Sequence, residues 1–202
     1  ISEPVRGAPP THLIPTARPT GGQRSIWKER PMSTPEFITN LRAKIGNDPL
    51  WLTGITAYVE DAQGRILLGK RADTGQWALV YGIVEPAEEP ADTCVREALE
   101  ETGVDIEPVS LVSVKSSPYM VTYANGDQCQ YMDLLFFCRP REGGNAQPRV
   151  ADDESLEVGW FAPDALPQPL ATSTQSRLEL VQRFKQNAAQ GNPACLFAHT
   201  LD

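Results

Sequence analysis

The chain has 202 residues, enough for one medium domain with a real core or a smaller one with terminal extensions, and we read one domain. Hydrophobic residues make up 41% and charged residues 22%, ordinary globular usage, and apolar runs such as Met132 to Cys138 are far too short to span a bilayer. A net charge of −8 argues against a binder of nucleic-acid polymers, which needs a basic stripe, yet an acidic enzyme can take a phosphorylated small molecule when metal ions stand between the two.

Residues 1–31, rich in Pro, Gly, Thr and Arg and without periodicity, are expected to form an extended arm, and they lack the apolar segment of a secretory signal. The domain proper is expected over 32–189, with a tail over 190–202. Trp27 in the polar arm and Trp51 further on read as anchors to the body or to a second subunit, which makes a homodimer an expectation. The series Thr34-Pro35-Glu36-Phe37 predicts a cap with Pro35 at the first helical position and a short helix to about Ile45, ended by Gly46 and Asn47.

Next, Ile55, Ala57 and Val59 alternate with Thr56 and Tyr58, and the turn Asp61 to Gly64 leads into Arg65 to Leu68, which predicts a hairpin. A helix is expected over Pro90 to Thr102, closed by Gly103. Tyr119 to Tyr123, the turn Asn125-Gly126 and the stretch Tyr131 to Cys138 predict a second hairpin, and a last helix is expected over Ser173 to Ala189. Strands and helices mix without a repeating rhythm, the pattern of a mixed sheet covered by helices.

At about 100° per residue, the helix places Ala91, Val95, Ala98, Leu99 and Thr102 on one face for packing. Glu97, Glu100 and Glu101 project together from roughly the opposite side. A solvated acidic face is one reading. Against it, these acids crowd the last turns of the helix, where the macrodipole already places negative charge and a cation would be preferred. Oxygen ligands of this kind suit Mg²⁺, with Mn²⁺ as a substitute. The only histidines, His12 and His199, lie near the ends, leaving little for a His triad or a His-containing zinc site. Cys94, Cys129, Cys138 and Cys195 show neither metal-ligand spacing nor a disulfide scaffold, so a reducing cytoplasm is expected.

Gly82, Glu88, Arg96, Glu97, Ala98, Glu100, Glu101, Gly103 and Val104 stand at spacings that resemble the signature of the Nudix hydrolase family. Seven fixed matches in a chain this long arise by chance about once in a million. The surroundings are also similar to the family, through the approach Asp73-Thr74-Gly75-Gln76-Trp77 and the segment Glu157 to Phe161, extending the likeness over about residues 36 to 188. Two positions depart from common family usage: Val80-Tyr81-Gly82 replaces Pro-Gly-Gly, and Ala87 replaces a frequent Gly. Both shape the loop, and Tyr81 would narrow or redirect a phosphate site.

The resemblance implies an α/β/α sandwich with a mixed, partly curved sheet. It implies that the Gly82 carbonyl and Glu97, Glu100 and Glu101 hold divalent ions, and that water is directed at the pyrophosphate link of a small nucleotide. The nucleotide would be a nucleotide sugar such as ADP-ribose, or an oxidised nucleoside triphosphate. Arg96 would orient these acids, and Glu88 would brace the loop. A further acid outside the motif often serves the family as ligand or base; Asp152, Asp153, Glu154 and Glu157 lie in a plausible late loop, Glu154 and Glu157 being favoured, and each reads equally as a solvated loop acid. Arg71 reads as a phosphate contact or a strand-end charge; Trp77, Tyr119, Tyr123 and Tyr131 read as base-stacking rings or as packing. The rival readings are a binding module without catalysis and an isoprenoid diphosphate isomerase, for which Cys94 would be the reactive thiol.

Overall fold

The computed structural model describes Thr34–Tyr123 and Asn125–Phe197, so the expected arm with Trp27, and residues 198–202 of the expected tail, lie outside the described residues. Helix α1 (Glu36–Ile45) begins one residue later than expected, with Pro35 as its cap: the Pro35 carbonyl accepts from the N–H groups of Ile38 (2.9 Å) and Thr39 (3.1 Å). Among the described residues no helix is long and apolar enough to cross a membrane.

The strands are β1 (Leu50–Val59), β2 (Ile66–Arg71), β3 (Trp77–Ala78), β4 (Val80–Ile83), β5 (Ile106–Ser116), β6 (Val121–Thr122), β7 (Gln128–Pro140) and β8 (Ser155–Phe161). They form two sheets. The first runs β4-β1-β7-β5, with β6 beside the start of β7, and the second runs β3-β2-β8. The first sheet is mixed, because β1 and β7 pair in parallel while its other pairs are antiparallel.

The expected hairpin of β1 with β2 therefore forms only as a turn. Asp61 closes it, its Oδ1 accepting from the amides of Gln63 (2.9 Å) and Arg65 (2.8 Å), but only the Glu60–Ile66 bridge joins the two segments. Both edges of β1 are occupied, by β4 and β7, so β2 leaves for the second sheet. The second expected hairpin exists but is short: β6 contributes two residues, and the rest of β7 pairs with β5 and β1.

Helices α2 (Pro90–Thr102) and α3 (Thr172–Ala189) cover opposite faces. On one side Cys94 and Ala98 of α2 pack with Ile55, Ala57, Val59, Leu67 and Val80. On the other, Val181 and Phe184 of α3 pack with Tyr58, Leu68, Leu79, Leu135 and Phe137. Alternate residues of β1 and β2 thus feed opposite cores, as the two-residue period of a strand buried on both sides requires. Each fully buried side chain of this size contributes roughly 1.5–3 kcal/mol. The α/β/α arrangement follows.

Candidate active site

Strand β4 and helix α2 make the site together. Pro90 opens α2 at its first position and Gly103 closes it in the left-handed conformation, with φ 68° and its N–H donating to Leu99 O at 2.9 Å. The helix is turned about its axis by roughly a quarter of a turn from the expected orientation. Thr93, Cys94, Glu97, Ala98 and Thr102 are buried, and Leu99, expected in the core, is exposed. Glu97 therefore points inward at 7% exposure.

Gly82 is the reason that orientation is possible. A Cβ at Gly82 would overlap Cγ, Cδ and Oε1 of Glu97, so the carboxylate lies in the space a side chain would fill. Tyr81, next to it, points to the other face of the sheet. Its hydroxyl bonds Thr174 Oγ1 (2.8 Å) and Ser173 Oγ (3.2 Å) at the start of α3, and the Arg177 guanidinium lies 4.8 Å over its ring. It therefore does not narrow the space beside Gly82 and Glu97, because alternation along β4 sends the two neighbours to opposite sides. Ala87, at the other departure from family usage, takes a left-handed φ of 67°, a conformation glycine adopts without strain.

Arg96 joins the loop to the helix. Its Nε and Nη2 donate to both oxygens of Glu88 (2.8 and 3.0 Å), Nη2 also to Ile83 O (3.3 Å), and Nη1 to Glu97 Oε1 (2.8 Å) and Glu100 Oε2 (3.1 Å). Glu88 in turn accepts the Glu85 amide at 3.1 Å. Burial works to raise the Glu88 carboxyl, but Arg96 and that amide outweigh it and hold it low.

The other acids behave oppositely. Burial pushes Glu97 up to about 7, against the pull of Arg96 and with Glu100 and Glu154 adding repulsion. Burial raises Glu101 well above the carboxylate range, helped by Glu97, Asp152 and Glu154. Glu154 is raised by burial and by Asp152, with Arg71 opposing. Glu101, Glu154 and Arg71 line one small pocket with Gly69, Ala78, Leu79 and Ser155. Glu157 is elsewhere: it faces Lys70 across the β2–β8 pair and accepts from its Nζ at 2.7 Å.

Of the expected aromatic contacts, Tyr131 stands nearest the motif. A Cβ on Gly54 would meet the Tyr131 ring at 3.3 Å and Gly82 O at 3.6 Å, so the ring and that carbonyl flank one glycine. The Tyr131 hydroxyl bonds that of Tyr123 at 2.7 Å. Trp77 is instead buried, edge-on to Phe161 at 4.9 Å, because β3 carries it into the core under α3. Tyr119 is 71% exposed on the segment before β6, and Trp51 is also exposed. Asp152, one of the late-loop acids but not a favoured one, joins the site, as does Asp73, to which the sequence assigns no role; the signal for both is an Asp two residues from Glu154 and from Arg71, close enough for side chain and turn to interact.

The donor set suits a hard divalent cation, being oxygen only, with Gly82 making room for Glu97 and with mutually repelling acids behind it. Among the described residues no three His, Cys, Asp or Glu side chains already converge on one point as a finished metal site.

The NUDIX domain family model matches residues 51–184. The chain belongs to the Nudix family. It is 32% identical to a "MutT-like protein" of Streptomyces ambofaciens over 147 residues, covering 73% of this chain and 82% of that one. It is 34% identical over 138 residues to "8-oxo-dGDP phosphatase NUDT18" of Mus musculus, covering 66% of this chain but only 40% of that protein. Among solved structures, a MutT NUDIX hydrolase from Burkholderia pseudomallei aligns with a TM-score of 0.54 and 32% identity, over 65% of this chain and 98% of the other. The α/β/α sandwich is thus the Nudix fold.

Proposed function

We propose that this Nudix domain hydrolyses the pyrophosphate link of a nucleoside diphosphate derivative, with Mg²⁺ as its cofactor. The observation that carries the reading is that Glu101, Glu154 and Arg71 line one pocket, beside a Glu97 seated on Gly82. The Gly82 carbonyl and the Glu97, Glu100 and Glu101 carboxylates would hold Mg²⁺, or Mn²⁺ in its place. When bound, such an ion polarises phosphoryl oxygens and lowers the pKa of a coordinated water.

The chain's own groups do the rest. Arg71 binds a phosphate oxygen through its guanidinium. Glu154, its carboxyl raised by burial, takes a proton from the attacking water as that oxygen bonds phosphorus and the bridging P–O bond breaks, giving two phosphate products. Arg96 sets the positions of Glu97 and Glu100, and Glu88 fixes Arg96 to the loop. Tyr131 offers a ring face beside Gly82, while the buried Trp77 and the outlying Tyr119 are less suited to the base.

Substrates divide into two classes, nucleotide sugars such as ADP-ribose and oxidised nucleotides. The second is favoured by the name of the mouse relative, an 8-oxo-dGDP phosphatase. The isomerase reading is disfavoured because Cys94 is fully buried and its thiol is raised by its contact with Cys138 and by burial, out of reach of any substrate. The unpaired cysteines support a reducing, cytoplasmic setting.

Incubating the protein with Mg²⁺ and nucleotide sugars, dinucleotides, 8-oxo-dGDP and nucleoside triphosphates, with products identified by mass, tests the reading. Cleavage at a pyrophosphate bond of at least one member is expected. No phosphate-ester or nucleotide product from any of them would favour the binding-module alternative.

A further inference from the structure

We propose that Asp73 is a positioning residue that holds the Arg71 guanidinium at the mouth of the acidic pocket, ready for a substrate phosphate; the inference rests on the hydrolase reading above. Arg71 ends β2, where the chain turns sharply. Its N–H donates to Gln76 O (2.9 Å), its carbonyl accepts from Gly75 N–H (2.9 Å), and the next amide, Ala72 N–H, donates to Glu154 O (2.8 Å). The turn bearing Asp73 is therefore tied at both ends, and also to the segment that carries Glu154.

Within that turn Asp73 returns to Arg71 through two parallel bonds, Nε to Oδ1 at 2.9 Å and Nη2 to Oδ2 at 2.6 Å. A fork of this kind fixes the plane of the guanidinium, which one point contact does not. It uses two of the five N–H donors and leaves three for an incoming oxygen. Two carboxylates, Glu101 and Glu154, share the pocket with Arg71, and the described residues give it no hydrogen bond to either. Releasing Arg71 from Asp73 lets it fall onto those acids, where it would occupy the place of the phosphate and neutralise groups needed for the cation. Asp73 thus aims Arg71 outward and keeps it off the acids.

Two readouts test this with Asp73→Ala, Asp73→Asn, Asp73→Glu, Arg71→Ala and the double Arg71→Ala/Asp73→Ala variant. The first is KM and kcat, at saturating Mg²⁺, for whichever nucleotide the wild type cleaves. The second is the affinity for methylenediphosphonate with Mg²⁺, a diphosphate mimic that water cannot split. Asp73→Ala and Asp73→Asn should raise KM and the mimic's Kd about tenfold, as lost orienting partners of site residues do, with a smaller change in kcat and an unchanged unfolding midpoint.

Asp73→Glu should recover most of the loss, and Asp73→Ala should change little once Arg71 is already alanine. The proposal is overturned if Asp73→Ala leaves both quantities at wild-type values, if its effect is equally large without Arg71, or if the wild type does not bind the mimic at all. If the wild type cleaves nothing while the mimic's affinity still depends on Asp73 through Arg71, the hydrolase reading fails and the positioning role stands.

Discussion

The acids of the site divide into two halves with opposite electrostatics. Around Arg96, Glu88, Glu97 and Glu100 all receive charge-assisted hydrogen bonds from one guanidinium. Across the pocket, Glu101 and Glu154 repel each other and Asp152, whose buried Oδ2 has no partner, and the cation beside them, Arg71, is bonded to Asp73. The first half is complete without a ligand and fastens the loop to α2. The second sets one cation, already engaged by Asp73, against the acids Glu101, Glu154 and Asp152 in a partly buried setting, a costly arrangement unless a further cation belongs there. Glu97 sits in both halves, paired yet raised to about 7.

Removing a charge from the unpaired half should have the largest effect. Glu101→Gln is expected to lower kcat by about 10²–10⁴ with the unfolding midpoint kept or raised, because a repelling charge goes with it. Glu154→Gln should lose about tenfold or more, whereas Glu157→Gln, altering only the contact with Lys70, should stay within about twofold. Equal losses at 154 and 157 would erase the distinction drawn between them.

Next comes pH. Burial holds the Glu97 carboxyl at about 7 against an ordinary 4.5, so the folded chain binds that proton more tightly than the unfolded chain does. This stabilising contribution is fully present below about pH 4.5 and disappears as the pH rises through about 7. With a chelator present, stability should therefore fall by on the order of 3 kcal/mol between about pH 5 and pH 8, and Mg²⁺ should recover part of it at the upper end. A Tm that climbs across that window in chelator would contradict the assignment.

Gly82→Ala sharpens the comparison at the point where the halves meet. The added methyl overlaps Glu97, so a loss of about 2 kcal/mol in stability is expected in chemical denaturation, together with weaker Mg²⁺ activation. The smallest effect belongs to the paired half. Ala87→Gly relieves a left-handed φ and should stabilise by about 0.5 kcal/mol, with no change in KM.

The helix α2 and its acids were legible because capping, period and motif spacing are all local. Its bounds, Pro90–Thr102, agree with expectation, and α3 begins one residue earlier than expected. The face it buries was not legible: Glu97 turns inward because Gly82, fifteen positions earlier, leaves a gap, and side-chain polarity alone predicts the reverse. The β1–β2 hairpin failed for a similar reason, since Asp61 to Gly64 make a genuine turn but β4 and β7 claim both edges of β1 from far along the chain. Strand β5 carries no clear two-residue period in sequence: it has an irregular burial pattern and two register shifts, which blur alternation. The placing of Glu157 opposite Lys70 likewise needed the β2–β8 register.

A crystal grown with Mn²⁺ and methylenediphosphonate, with the metal located by its anomalous scattering, tests the central claim most directly. A manganese peak is expected within coordination distance of the Gly82 carbonyl and of carboxylate oxygens of Glu97 and Glu101, with a phosphonate oxygen on the same ion. Bound diphosphonate with no metal at those oxygens, and Glu97 still held by Arg96 alone, would contradict it.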